Sequence, residues 1–507
     1  MKRSVLKERL WRSLVIKTKE RPGRFNPTFE RICEVLDVTF PETLAGEIIE
    51  EMEEYCRRAG SPLSNRTPIT AKQGELILGI ITKRLTEKED YVEAFEKIIS
   101  LIDYSEISSK EAIEIHEKHK IPVSRLEKDI IPVYGKGVWI TDINGKRYFD
   151  LDSNYSAANL GYSNKELALG LFNQTSQLVT MKEDRVQVPR ALLIKTLRTI
   201  MPEGLDQFYF QNSGGEAVDK SLKFAKAYTR QTGVVAMHNC FHGRTHGAVA
   251  VTSNPKYRKP FGLDKLNWVH FVPFNDIETV EEKLQNGSAK IVILELVQGE
   301  EGGINPADKE YARDLRKICT KHNAVLIVDE VQTGFGRIAM KEEQWWASDY
   351  YGIVPDLMVI GKSFGGGFPV TAVVTNKNLS SEMKAGYDGS TFGGNPLAMI
   401  SATIAIQQMK KQNITQNVAE RGKQLMKGLT ELHTDLIKTV RGLGLFIGIV
   451  FPSHSHVAKF QKELKKLGIK SSLSTGNTAR FLPPLIISEE EVDYLLDKVK
   501  KAVTIMK

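Results

Sequence analysis

The sequence predicts an α/β protein with a large, mostly parallel sheet, a smaller α/β domain and an extra N-terminal helical module. Three observations predict this. Short apolar runs without polar alternation recur between residues 208 and 360, as strands buried on both faces do. Segments of helical period separate those runs, the alternation that yields crossover connections and a parallel sheet. The texture changes near residue 110 and again near residue 400, which divides the chain into a helical extension (1–110), a first part of the small domain (111–165), a large domain (166–400) and a C-terminal small domain (401–507).

In the extension, Leu44, Ile48 and Met52 fall on one helical face, and Thr70-Ala-Lys-Gln73 and Thr86-Glu-Lys-Glu89 fit capping boxes. This region carries no catalytic signature and reads as a packing module, with docking of a partner as the alternative. Tyr134 to Asp150 reads as a hairpin turning at Asn144-Gly145, with Tyr134 and Trp139 as packing residues. The clear strands of the large domain are Phe208–Phe210, Val234–Met237, Ile291–Glu295, Val325–Asp329 and Leu357–Ile360. A helix after Ala217 shows Val218, Leu222 and Ala225 on one face and is expected to stop at Gly233. In the last domain, Phe446 to Phe451 is strand-like, Val457 to Leu467 is helical and stops at Gly468, and Ser488-Glu-Glu-Glu491 caps the final helix.

Composition excludes several classes. With 41% hydrophobic and 26% charged residues, the 507-residue chain suits a folded protein of more than one domain. No run approaches the roughly 18 apolar residues of a membrane span. Met1 to Arg12 lacks the apolar stretch of a secretory signal, and Glu8 and Glu20 oppose a transit peptide, so a cytoplasmic location is expected. The four cysteines, Cys33, Cys56, Cys240 and Cys319, form no CxxC pair, so no metal site is indicated. A net charge of +8 spread over this length suits small anions and does not form the basic patch that nucleic-acid binding needs.

The chemistry gathers at two strand ends. The run from Pro355 closes on Lys362 and opens the cluster Ser363-Phe-Gly-Gly-Gly-Phe-Pro369; the run from Ala324 closes on Asp329. A lysine amine with small residues beside it suits a Schiff base, and an acid suits a pyridinium nitrogen; together they are what pyridoxal 5'-phosphate requires. Upstream, Gln211-Asn-Ser-Gly-Gly-Glu-Ala217 opens a helix, where free backbone N–H groups and the helix dipole favour a phosphate.

Five ordered segments then resemble the class III (ω-amino acid) aminotransferases of fold type I, most closely the ornithine and acetylornithine group: Asn212-Ser-Gly-Gly-Glu-Ala217, Phe241-His-Gly-Arg-Thr245, Glu295-Leu-Val-Gln-Gly-Glu300, Asp329-Glu-Val-Gln-Thr-Gly334 and Gly389-Ser-Thr-Phe-Gly-Gly-Asn-Pro396. The resemblance covers residues 120 to 507. It implies that Ser213, Gly214 and Gly215 cradle the cofactor phosphate, that Phe241 stacks on its ring, and that Gln332 bonds its ring hydroxyl. It implies that Asp329 and Lys362 are catalytic, and that Ser390 and Thr391 reach the phosphate of a neighbouring subunit, so that a homodimer shares its active sites. Arg480 would grip the α-carboxylate of 2-oxoglutarate and Arg244 its distal carboxylate. Glu300 would pair with Arg244 as a gate that opens for the keto acid. Tyr155 falls on a specificity tyrosine and favours an ornithine-like donor. His242 reads as a packed polar residue without a catalytic role.

Some positions depart from that pattern. Arg125 stands where a substrate-binding tyrosine is expected and would steer specificity toward a β-amino acid. Leu296 replaces a proline, Glu301 adds a negative charge beside the gate, and Phe364 replaces a smaller aliphatic residue. The expected activity is transfer of a terminal amino group from an ornithine-like amine to 2-oxoglutarate by a ping-pong mechanism. The alternatives are a racemase or epimerase of the same fold, or an aminotransferase for a β-amino acid or a carrier-bound substrate.

Overall fold

In the computed structural model the described residues are 107–472 and 476–506, with 49–54, 57–58, 73 and 80 upstream. Met52 is buried in a helical stretch. The rest of that helical stripe (Leu44 and Ile48) and the expected capping and docking features of residues 1–110 lie outside the described residues. The chain forms two compact units, residues 1–131 with 168–177, and residues 132–167 with 178–507. In the first unit, helix α1 (Ser109–His119) starts at Ser108, whose hydroxyl accepts from Glu111 N at 3.2 Å.

The second unit opens with β1 (Pro132–Lys136), β2 (Trp139–Asp142) and β3 (Arg147–Asp150). The turn at Asn144-Gly145 is present, with Gly145 at φ 79° and its N–H on Asp142 O. A further reversal at Gly137, φ 58°, makes the expected hairpin a three-stranded meander. Trp139 packs edge-on against Phe149 at 5.1 Å, whereas Tyr134 is exposed.

The large sheet contains β4 (Gln207–Gln211), β5 (Val234–Met237), β6 (Val269–Val272), β7 (Ile291–Leu294), β8 (Val325–Asp329), β9 (Leu357–Ile360) and β10 (Thr371–Thr375). Their spatial order is β4-β10-β9-β8-β7-β5-β6, and only β10 runs antiparallel to its neighbours. Two strands were not among those expected. In β6, His270 and a half-buried pattern mask the apolar run, and Thr371 and Thr375 bracket β10 with polar ends.

Period-two alternation decides which face each side chain covers. Ile291, Ile293, Val325 and Ile327 pack against Val218, Leu222 and Ala225 of α2 (Gly214–Thr229). Val292, Leu294, Leu326 and Val328 pack on the other face with Tyr311, Leu315 and Cys319 of α3 (Lys309–Lys321). Each such fully buried aliphatic side chain contributes about 1.5–3 kcal/mol. Helix α2 ends at Thr229, before the expected Gly233, because Arg230 itself takes the left-handed cap at φ 56°.

The chain continues through α4 (Pro396–Lys411). An antiparallel sheet then forms from β11 (Thr439–Leu443), β12 (Phe446–Val450) and β14 (Thr478–Phe481). Between β12 and β14 lie α5 (His454–Lys466), which stops before Gly468 at φ 82°, and β13 (Ile469–Lys470), which pairs with β3. Ser488 and Glu491 form the expected reciprocal cap of α6 (Glu489–Met506). Among the described residues no helix is long and apolar enough to cross a membrane, and no cluster of His, Cys, Asp and Glu is placed to hold a metal.

Candidate active site

Ligands of open parallel sheets bind beyond the carboxyl ends of the strands. Gly214 follows β4, His242 follows β5, Glu295 follows β7, Asp329 closes β8 and Lys362 follows β9. All five line one cavity of about 430 Å³.

Asp329 is buried and held from two sides. Its Oδ1 accepts from Val331 N at 3.1 Å, and its Oδ2 accepts from His242 Nδ1 at 2.8 Å. His242 is therefore more than a packing residue: it is in direct contact with the central acid. Burial alone would lower its pKa, but the bond to Asp329 and the neighbouring Cys240 thiol lift it to about 10. The ring is then an imidazolium at neutral pH and donates to the Asp329 carboxyl.

Lys362 sits two residues past the end of β9 in a left-handed conformation, φ 47°. Its side chain keeps some accessible surface because it opens onto the cavity. Desolvation dominates its charge balance and pulls its pKa down, against the opposing pull of Glu295, Asp329 and Glu300. Glu295 received no role from the sequence. It joins Phe241 to the next loop, accepting from Phe241 N at 2.8 Å and Gly299 N at 3.3 Å. Burial pushes it up to about 7.

The remaining residues fit pyridoxal phosphate. Ser213 caps α2 through Glu216 N, and among the described residues the N–H groups of Gly214 and Gly215 meet no protein acceptor. A Cβ at Gly215 would come within 3.0 Å of Thr245 Oγ1, and one at Gly243 within 2.8 Å of Gly215 Cα, so this rim needs its glycines to stay open and close-packed. Phe241 supplies an apolar ring face in the same cavity, and Gln332 lines it while donating to Tyr155 O at 3.3 Å. Phosphate donors, a flat apolar face, an acid for a ring nitrogen and an amine for an aldehyde carbon are all present.

The substrate-side residues depart from expectation in one respect. Glu300 pairs with Arg480, not with Arg244. The reason is topological: β14 brings Arg480 beside the loop after Gly299, while Arg244 lies with its Cζ 3.5 Å from the centroid of Tyr257 and 5.4 Å from that of Phe241. Arg480 is fully buried, with its Cζ 6.0 Å from the centroid of Tyr155. Glu301 accepts from Asn254 Nδ2 at 2.8 Å, and burial, with Glu301 beside it, pushes the Tyr257 hydroxyl up to about 12. Phe364 is a core residue stacked on Phe335 at 5.2 Å, and Leu296 is fully buried.

Ser390 and Thr391 line a different cavity, of about 820 Å³, with Asp388 and Tyr209. Asp388 is fixed there by Lys220 and Lys223. Arg125 is an exposed residue of the first unit.

Residues 123–503 match the family described as Aminotransferase class-III. The chain is 35% identical to the acetylornithine aminotransferase of Archaeoglobus fulgidus over 405 residues, covering 80% of this chain and all of that one. It is 34% identical to the [LysW]-aminoadipate semialdehyde transaminase of Deinococcus radiodurans, covering 73% of this chain and 84% of that one. Among solved structures, the acetylornithine aminotransferase of Elizabethkingia anophelis superposes with a TM-score of 0.69 at 28% identity, covering 79% of this chain and 100% of that one. The ornithine aminotransferase of Toxoplasma gondii shares the fold, with a TM-score of 0.74 at 24% identity over 83% of this chain and 99% of that one.

Proposed function

From the premise that this chain belongs to the class-III aminotransferases, which are pyridoxal phosphate enzymes, we propose that it transfers the terminal amino group of an ornithine-like donor to 2-oxoglutarate in a ping-pong cycle. The observation that carries this reading is the Glu300–Arg480 pair, close enough to Lys362 for both charges to act on its amine. A paired arginine presents little net charge to a donor amine. A dicarboxylate keto acid offers its own carboxylate, displaces Glu300 and takes both guanidinium N–H bonds. Arg244, held by an aromatic face, remains available for the distal carboxylate. One pocket then serves two unlike substrates in turn.

When bound, pyridoxal phosphate supplies the electron sink that lets a carbon–hydrogen bond beside the amine ionise. The chain's own residues do the rest. Lys362 Nζ would hold the cofactor and, once free, would carry the proton from the substrate carbon to the cofactor's C4′ carbon. Asp329, held by His242, would fix the ring nitrogen; Phe241 would cover a ring face; Gln332 would take the ring oxygen; Ser213, Gly214 and Gly215 would hold the phosphate.

We assign Ser390 and Thr391 to the phosphate of a second copy of the chain, because they line a cavity without Lys362 while Thr391 and Phe392 stand exposed. A homodimer with shared sites follows from that assignment, and a cytoplasmic location accords with it.

The test is a donor panel with 2-oxoglutarate: ornithine, N-acetylornithine, 4-aminobutyrate, β-alanine and a carrier-bound amine. Glutamate should form fastest with ornithine or its acetyl derivative. Preference for β-alanine would transfer the specificity to another residue, and absence of glutamate with every donor would overturn the reading.

A further inference from the structure

Arg337 is, like Arg480, a fully buried arginine, but its partners are of another kind. Its Nη1 donates to Leu445 O at 3.1 Å and Pro483 O at 2.5 Å; its Nη2 donates to Ser153 Oγ at 3.3 Å and to Asn159 Oδ1. Among the described residues no carboxylate pairs with it. Burial, unopposed by any acid, lowers its pKa to about 9, which still leaves a cation at neutral pH. A buried cation compensated only by neutral oxygens is costly, so its position in the fold has to be accounted for.

Three segments are tied together here, two of them by this guanidinium itself. One is the stretch from Ser153 to Asn159, where Ser153, Asn154, Tyr155 and Ser156 all take positive φ, at 41°, 51°, 54° and 73°. Each residue in that left-handed turn costs about 1–2 kcal/mol relative to ordinary backbone. The second segment follows Arg480: Ser153 Oγ donates to Leu482 O at 2.7 Å, and Leu485 N donates to Asn159 O at 2.8 Å. The third follows Lys362: Ser363 Oγ donates to Ser156 O at 2.9 Å and meets Asn159 Nδ2. The strained turn carries Asn154, which lines the cavity, and Tyr155, whose carbonyl accepts from Gln332 and whose ring lies near Arg480.

We propose that Arg337 is the positioning residue of the substrate side of the site. Its forked guanidinium locks the left-handed turn bearing Asn154 and Tyr155 to the segment bearing Arg480, and so sets the spacing at which a substrate carboxylate is held. The proposal rests on the assignment of Arg480 as the carboxylate site. A lysine at 337 keeps the charge but lacks the planar fork that reaches four acceptors on three segments.

Glutarate, a dicarboxylate with no keto group to react, serves as the probe. It is titrated calorimetrically into cofactor-loaded protein, and kcat and KM for 2-oxoglutarate are measured alongside. Arg337→Lys is expected to weaken glutarate binding and raise the KM by about tenfold, with kcat per occupied site close to that of the parent. Ser153→Ala removes only one of the links and should weaken both by about threefold. A role confined to folding would lower the titration stoichiometry and leave the affinity and KM of the folded fraction unchanged; that result overturns the proposal. Should Arg337→Lys fail to fold, Ser153→Ala decides by the same criterion. Glutarate binding that survives Arg480→Gln unchanged would remove the carboxylate-site reading itself, and the proposal with it, a failure recognisable because it leaves Arg337 untouched.

Discussion

The cofactor side of the site and its substrate side are secured by different chemistry. On the cofactor side, Asp329 is bound at once by a backbone N–H and by an imidazolium; the first bond closes a local turn after β8, and the second runs between the ends of β5 and β8 fixed by the sheet. On the substrate side, Arg480 and Glu300 are held by each other, and Arg244 lies on a tyrosine ring. The first arrangement has no competing partner, so it preorganises one geometry. In the second, any carboxylate entering the pocket competes with Glu300 for the same guanidinium. In the proposed cycle, rigidity therefore belongs to the chemistry common to both half-reactions, and exchangeable pairing belongs to the step at which substrates differ.

The largest effect that would break this contrast is at Lys362. Replacing it by alanine removes the one amine that, among the described residues, lines this cavity, so turnover should fall by at least about 10³-fold. The phosphate donors, Asp329 and Phe241 are untouched, so the variant should still retain cofactor through dialysis. Rapid-quench measurement of a single turnover checks the first statement and absorbance of the dialysed protein the second. Normal turnover in Lys362→Ala would mean that the cofactor side is not the catalytic one.

The same contrast governs what the sequence discloses. β5, β8 and β9 are continuous apolar runs because both faces are buried, and Asp329 and Lys362 announce themselves by ending such runs. Gly214 and Gly215 are visible because a helix start that binds a phosphate needs small residues. His242 escaped this reading: its partner lies 87 positions away, and only the order β8-β7-β5 brings the two strand ends together. A polar residue directly beside Phe241, the residue expected to stack on the ring, was the one available signal. The pairing of Glu300 with Arg480, and not Arg244, spans 180 positions and depends on the register of β14 against β12, which no local spacing encodes. The turn from Ser153 to Ser156 was opaque for another reason: none of its four residues is glycine, and only Asn154 is of a type that readily takes positive φ.

A middle-sized effect sharpens the comparison through pH. His242 has a folded-state pKa raised from 6.5 to about 10. A raised histidine pKa contributes stability that is complete below about pH 6.5 and fades as the pH rises through 10. The cofactor side should therefore weaken across that window, and the melting temperature of the unmodified protein should fall within it. His242→Gln keeps a donor for Asp329 but cannot titrate, so its melting temperature should change less between those limits. Loss of the charge on the donor should also reduce cofactor affinity by about 10-fold or more. A melting profile in His242→Gln as steep as that of the parent would show that another group carries the pH dependence.

The smallest effect lies on the substrate side, at Glu301. Its carboxylate accepts from Asn254 and stands by Tyr257, the ring on which Arg244 rests. Glutamine at this position retains an oxygen for Asn254 and removes only the charge. Because the group is half-exposed, its repulsion of an incoming dicarboxylate is screened, and Glu301→Gln should lower the KM for 2-oxoglutarate by only about two- to threefold. The gain should shrink as salt is added, since the interaction acts through solvent as well as protein. The donor half-reaction, which brings no second carboxylate to this edge, should keep its rate. A salt-independent change, or an equal change in both half-reactions, would mean that Glu301 shapes the Asn254–Tyr257 support instead of opposing anionic substrates. Exchangeable charge would then be confined to the Glu300–Arg480 pair.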